Sequence, residues 1–153
     1  MRFRRDHRQI RRKSSLEVEY MRSAGCVVGA VLEALRQAIR PGITTAELDT
    51  LAETVIRDMG AKPSFKGYQG FPASICASVN QEIVHGFPGT YILQDGDIIS
   101  VDVGAIKNGY QGDAATTVAV GCVSERAKQL MAGTERALEA GIAAADRKST
   151  RLN

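Results

Sequence analysis

Apolar residues return every three or four positions from Leu16 onward: Leu16, Tyr20, Ala24, Val27, Val31 and Leu35 form one stripe. That period predicts an amphipathic helix. Ser14 and Glu17 stand at its start in the S-x-x-E spacing, in which hydroxyl and carboxylate each satisfy an end-of-helix N–H, and Pro41-Gly42 ends it. Thr44 and Glu47 repeat the capping spacing before a second stripe of Leu48, Leu51, Val55 and Met59 that stops at Gly60. From Lys62 the texture turns to Gly, Pro and aromatic residues, through Phe65-Lys66-Gly67-Tyr68-Gln69-Gly70-Phe71-Pro72, and then to a strand-like run from Ala73 to Val79. Asp95-Gly96 marks a turn. Ile98 to Ile106 then alternates, with Ile99, Val101, Val103 and Ala105 on one face and Ser100, Asp102 and Gly104 on the other. A further strand runs from Gln111 to Val120, and Ser124 caps a last helix through Leu130, Met131, Thr134, Leu138 and Ile142. Helix pair, sheet and closing helix make one mixed domain.

Asn108-Gly109 between the two alternating strands predicts a two-residue type I′ turn, because both central residues of that turn need positive φ. Counting outward sets the register: Lys107 opposes Tyr110, Ile106 opposes Gln111 and Gly104 opposes Asp113. Asp102 then lies diagonally from Asp113 on the same face. Diagonal β-carbons sit roughly 7 Å apart, within reach of a metal pair whose ions are about 3.5–4 Å from each other. Two converging carboxylates repel and raise each other's pKa, which a divalent cation relieves. The spacing by itself equally describes two ordinary acids on a solvated sheet face.

At 153 residues the chain is long enough for one domain with a real core. No apolar run approaches the roughly 20 residues needed to span a bilayer, and the basic N-terminus lacks the apolar stretch of a secretory signal. A cytoplasmic protein is the default expectation. Charge is unevenly placed: residues 1–13 hold seven basic groups against Asp6, so the formal total of +3 leaves −3 for the rest. That arm reads as a solvated extension. Phosphate contact with ribosomal RNA is the alternative, and no aromatics interleave its arginines to favour it. Cys26, Cys76 and Cys122 are far apart and set among apolar residues, the pattern of reduced, buried thiols.

Several phrases change the standing of the hairpin. Gly96-Asp97-Ile98-Ile99-Ser100-Val101-Asp102-Val103 and Asn108-Gly109-Tyr110-Gln111-Gly112-Asp113 follow Gly67-Tyr68-Gln69-Gly70-Phe71-Pro72 and Ser78-Val79-Asn80-Gln81-Glu82-Ile83-Val84-His85-Gly86. In order and spacing they resemble the type I methionine aminopeptidases, from about Leu16 to about Ala144. The resemblance implies an α/β (α+β) chain with approximately the N-terminal half of the pita-bread, creatinase/aminopeptidase-like fold. It also implies that Asp102 and Asp113 ligate two divalent metal ions, of which Co, Mn, Fe and Zn all suit mixed carboxylate and imidazole ligation. His85 matches the histidine that contacts the scissile amide and stabilises developing charge, so it serves both catalysis and substrate binding. Tyr68, Phe71 and Cys76 match the lining of the methionine pocket, where a thioether needs a narrow, polarizable, apolar slot. Gln69 stands where the family commonly has histidine.

The function implied is removal of the N-terminal methionine from nascent polypeptides by metal-dependent hydrolysis, in a cytoplasmic, monomeric enzyme. The alternative is a non-catalytic binding protein on the same fold. The family also uses a histidine and two glutamates from its second half, and no histidine follows His85 here. Glu125, Glu135 and Glu139 fall on or beside the last helix and are read as structural. The ending, Asp146-Arg147-Lys148-Ser149-Thr150-Arg151-Leu152-Asn153, looks like an in-frame translation of a sequencing adapter. The expected organisation is therefore a basic tail (1–13), the first half of the aminopeptidase domain (14–145) and a non-native tail (146–153), with the parent active and this chain alone inactive. The helix beginning beside the N-terminus leaves no room for the extra domain of aminopeptidase P and prolidase.

Overall fold

Both expected capping boxes close. In the computed structural model, which describes residues 12–145, helix α1 (Ser15–Ala38) starts where the Ser14 hydroxyl accepts from the Glu17 N–H and Glu17 accepts in turn from the Ser14 N–H. Thr44 and Glu47 do the same for α2 (Thr45–Asp58). Residues 1–11 of the basic tail and the adapter-like stretch 146–153 lie outside the described residues. Four strands follow, β1 (Lys62–Pro63), β2 (Ile75–Val79), β3 (Ile98–Lys107) and β4 (Tyr110–Ala119), and α3 (Glu125–Ala144) closes the order. A short 3₁₀ turn, Tyr68–Gly70, interrupts the loop between β1 and β2. Among the described residues no helix is long and apolar enough to cross a membrane.

β3 organises the sheet. Its full length pairs antiparallel with β4, so its other edge is shared end to end by β2, against Ile99–Val103, and β1, against Ala105 and Ile106. The hairpin register is the one counted from Asn108-Gly109: Lys107 faces Tyr110, Ile106 faces Gln111 and Gly104 faces Asp113. Asn108 (φ 53°) and Gly109 (φ 77°) take the left-handed conformations that the turn demands. On the helix side, Ile99, Val101, Val103 and Ala105 are completely buried with Ile75, Ala77 and the inner faces of α1 and α2. Gly112 belongs to that side as well. A β-carbon there would come within 2.8 Å of the Ala24 carbonyl, so the glycine lets α1 settle directly on β4.

Four expectations need correction. The stripe of α1 is buried at Ala24, Val27, Val31 and Leu35 with Val28 added, whereas Leu16 in the first turn stays exposed. In α2 the buried line is Thr45, Leu48, Ala52 and Ile56, and Leu51, Val55 and Met59 are only partly covered at its flank. Cys76 is a buried free thiol as expected, but Cys26 and Cys122 are free and exposed. Each step along a helix turns about 100°, and Cys26 falls outside the arc that buries Ala24, Val27, Val28 and Val31. The β2 run also begins two residues later than its apolar texture. The Ser74 and Ile75 N–H groups donate to Asp49 Oδ1 on α2 (2.8 and 3.0 Å).

Candidate metal centre

The face of the sheet turned away from α1 and α2 carries the chemistry. Asp102 and Asp113 project there from adjacent strands, one residue pair apart on the diagonal, with Cys76 on β2 directly opposite Asp102. Gly104, opposite Asp113, has no side chain for a physical reason. A β-carbon at that position would collide with the Ser64 hydroxyl and the Phe65 ring, which lie over it. Phe65 then meets Phe71 edge-on (centroids 6.3 Å apart), and Phe71 meets Phe87 the same way (5.2 Å). This aromatic wall and the acidic pair enclose one cavity of about 540 Å³, lined also by Tyr68, Gln69, Gly70, Cys76 and His85.

His85 is brought to the cavity by a return loop. After β2 the chain turns at Asn80 (φ 53°) and comes back along the free edge of that strand, where the Ala77 N–H donates to the Gly86 carbonyl (2.9 Å) and the Gly86 N–H donates to Ser78 Oγ (3.0 Å). Gly86 is packed so closely on the Ala77 carbonyl that any side chain would collide with it. His85 itself has φ 59°, a left-handed conformation uncommon outside glycine and costing of order 1 kcal/mol or more, so the docked loop holds it against its preference.

The electrostatics favour a cation. Burial pushes the Asp102 pKa up, the Asp113 charge pushes it further, and His85 partly offsets both. Asp102 Oδ1 is buried with no hydrogen-bond partner among the described residues. An ionised oxygen left so is expensive unless something positive faces it, and hard divalent cations take oxygen ligands. The donor set therefore fits a divalent metal at Asp102 and Asp113. Cys76 is a different case. Burial, then Asp102 and Asp113, raise its thiol to about 11, so it remains a neutral, polarizable wall near pH 7. Among the described residues no three His, Cys, Asp or Glu side chains gather closely enough to hold a metal by themselves.

Residues 19–152 match the model of metallopeptidase family M24. The chain belongs to that family. It is 55% identical over 131 residues to a methionine aminopeptidase of Clostridium acetobutylicum, covering 85% of this chain and 52% of that protein. Its structure is similar to that of a methionine aminopeptidase from Thermotoga maritima, with TM-score 0.83 and 44% identity over 85% of this chain and 53% of the other. An Xaa-Pro dipeptidase from Bacillus anthracis shares the fold with TM-score 0.67 and 28% identity, over 76% of this chain and 32% of the other. The chain thus spans about half the length of the curated relatives it matches. Its sheet and helices are the pita-bread arrangement of M24.

In this M24 chain Asp102, Asp113, His85, Tyr68, Phe71 and Cys76, all singled out from sequence, line one cavity. Phe65 and Phe87 line it too and were missed as site residues. Phe65 sat inside the aromatic run 65–72, and Phe87 stands two residues beyond His85. For Phe65 the signal was Gly104, a glycine in mid-strand with no turn to explain it, the sign that something packs on the backbone there; Phe87 had no such signal.

Proposed function

We propose that this chain supplies the aspartate side of a two-metal centre that removes N-terminal methionine from nascent polypeptides. The observation that carries it is the diagonal pair Asp102 and Asp113, one oxygen of which is buried without a partner among the described residues, beside an aromatic cavity. When bound, the divalent cations lower the pKa of a water toward neutrality and polarise the peptide carbonyl. Asp102 and Asp113 would hold them from the sheet. Phe65, Tyr68, Phe71 and Phe87 take the thioether side chain out of water, with the neutral Cys76 thiol as a further polarizable contact. The His85 imidazole, fixed above the sheet by its docked loop, donates a hydrogen bond to the scissile amide as charge develops. The activity belongs to a cytoplasmic, monomeric enzyme, and the family resemblance requires a histidine and two glutamates in addition to the two aspartates. A non-catalytic binding protein has no use for two converging carboxylates at the floor of its pocket.

The test is a manganese titration followed by water-proton relaxation on the 153-residue chain. Asp102→Asn or Asp113→Asn should each weaken binding by at least ~10-fold, the smaller end of what losing even an outer-shell partner costs. Unchanged affinity in both would remove the metal centre from this face. The chain alone should release no methionine from a short peptide.

A further inference from the structure

Asp97 is a buried carboxylate that the proposed chemistry does not use. Three donors converge on it from three places in the chain. Asn80 Nδ2 donates to Oδ1 (2.8 Å), while the Gln94 N–H (2.9 Å) and Tyr91 Oη (3.1 Å) donate to Oδ2. Burial pushes its pKa up, yet the hydrogen bonds from Asn80, Gln94 and Tyr91 outweigh this and hold it below the usual carboxylate range. Asn80 is tied to the same corner by its own amide. Its N–H donates to the Ile98 carbonyl (2.9 Å) and its side-chain oxygen accepts from the Ile98 N–H (3.1 Å).

Asn80 is also the first residue of the return loop, and it sits in the left-handed region, as His85 does near the loop's other end. That loop is held at both ends, and between them Glu82 is tied to Val79, whose N–H donates to the Glu82 carboxylate (2.8 Å). One end is held by the Asp97–Asn80–Ile98 corner, at the entry of the strand that carries Asp102, and the other by the pair of bonds that Gly86 makes with Ala77 and Ser78. Left-handed conformations at non-glycine residues persist only where the surroundings impose them. We propose that Asp97 is a positioning residue: it clamps the start of the 80–86 loop to the entry of β3 and thereby fixes where His85 stands against Asp102. The inference rests on the reading of His85 and Asp102 as site residues.

Asparagine at position 97 keeps the size but offers one acceptor oxygen for three donors and turns an N–H₂ group toward the others, so at least one of the three bonds is lost and the charge that strengthens the Asn80 bond is removed. Amide exchange measured by NMR on the full 153-residue chain reads the result, with the Gly86 amide referred to that of Val101 in mid-β3. In Asp97→Asn the Gly86 amide should exchange ~10-fold or more faster relative to Val101 than in the parent, the signature of local rather than global opening. Asn80→Ala removes the clamp from its other side and decides the matter should Asp97→Asn not fold. It should free Gly86 in the same way. Tyr91→Phe deletes a donor bonded to Asp97 rather than to the return loop and should leave the ratio within ~3-fold. If Asp97→Asn and Asn80→Ala melt earlier but keep the parent ratio, or if Tyr91→Phe frees Gly86 as far as they do, Asp97 is structural support and the proposal falls. A parent chain that takes up no manganese while Asp97→Asn frees Gly86 would leave the clamp standing and overturn the metal-centre reading.

Discussion

The two faces of β3 share one backbone and divide the work between them. Toward α1 and α2, Ile99, Val101, Val103 and Ala105 are buried to the last atom in an apolar cluster. Away from the helices, Ser100, Asp102 and Gly104 line the other face, with the Ser100 and Thr117 hydroxyls bonded across to β4 at 2.8 Å and one buried Asp102 oxygen without a partner among the described residues. The first face gains stability by excluding water. The second holds like charges together, which costs stability unless a cation arrives. A two-residue period makes this separation possible, since every step along the strand changes sides.

The sharpest break in that comparison comes from neighbouring residues on opposite faces. Ile99→Ala should destabilise the chain by about 2–5 kcal/mol, because the apolar contact is lost and the close-packed site only partly collapses. Ser100→Ala, one position along, should cost about 1 kcal/mol, the worth of a single hydroxyl bond. Urea unfolding midpoints check both. Equal losses would mean that the outer face is packed as tightly as the inner one.

Acidity sharpens the comparison further. The folded-state pKa of Asp102 is raised, so its contribution to stability is fully present below the ordinary carboxylate value of 3.8 and is lost as pH climbs through the raised value. At pH 7 without metal, Asp102→Asn should therefore be the more stable protein. Saturating manganese should invert the order, since the parent gains about 1.4 kcal/mol for each tenfold of metal above its dissociation constant. Thermal unfolding at pH 4.5 and 7, with and without manganese, measures the whole cycle. A metal-free Asp102→Asn that is less stable at pH 7 would make the carboxylate an ordinary structural acceptor.

Local signals in the sequence were enough for the three helices, the three longer strands and the hairpin register, though not for the two-residue β1. The capping boxes at Ser14 and Thr44 and the Asn108-Gly109 turn are chemistry between residues a few positions apart, so each is legible without the fold. Register carried Asp102 and Asp113 to one face by counting alone. Burial was less legible. Leu16 belongs to the α1 stripe by period yet stays exposed, and in α2 Ala52 and Ile56 take the central positions because neighbouring elements decide which side of a broad apolar arc is covered. Phe65 and Phe87 reach the cavity through loops, whose path follows from distant partners such as Gly104 and the edge of β2. The identity of the site came from matched phrases rather than from geometry. Two acids on a strand pair are common, and four phrases in order are not.

The smallest expected effect tests the contrast between the first helix and the last. Both begin at a serine that accepts an N–H from the residue three along, and both carry an apolar stripe. Five residues of α1 are buried, whereas α3 buries none, and Leu130, Leu138 and Ile142 remain 60–65% exposed. Local signals therefore decide that a helix forms, and packing against the sheet and a neighbouring helix decides whether its stripe contributes to the core. Leu138→Lys should change the unfolding free energy by no more than about 0.5 kcal/mol, the range for substitutions away from packed features, because no buried contact is lost. Val31→Lys, at an equivalent place on the stripe of α1, would put a charge among completely buried residues and is the contrasting control. A loss well above 1 kcal/mol at Leu138, read by urea unfolding at two protein concentrations, would show that the stripe of α3 is covered in solution, and a concentration dependence would mean that a second copy covers it.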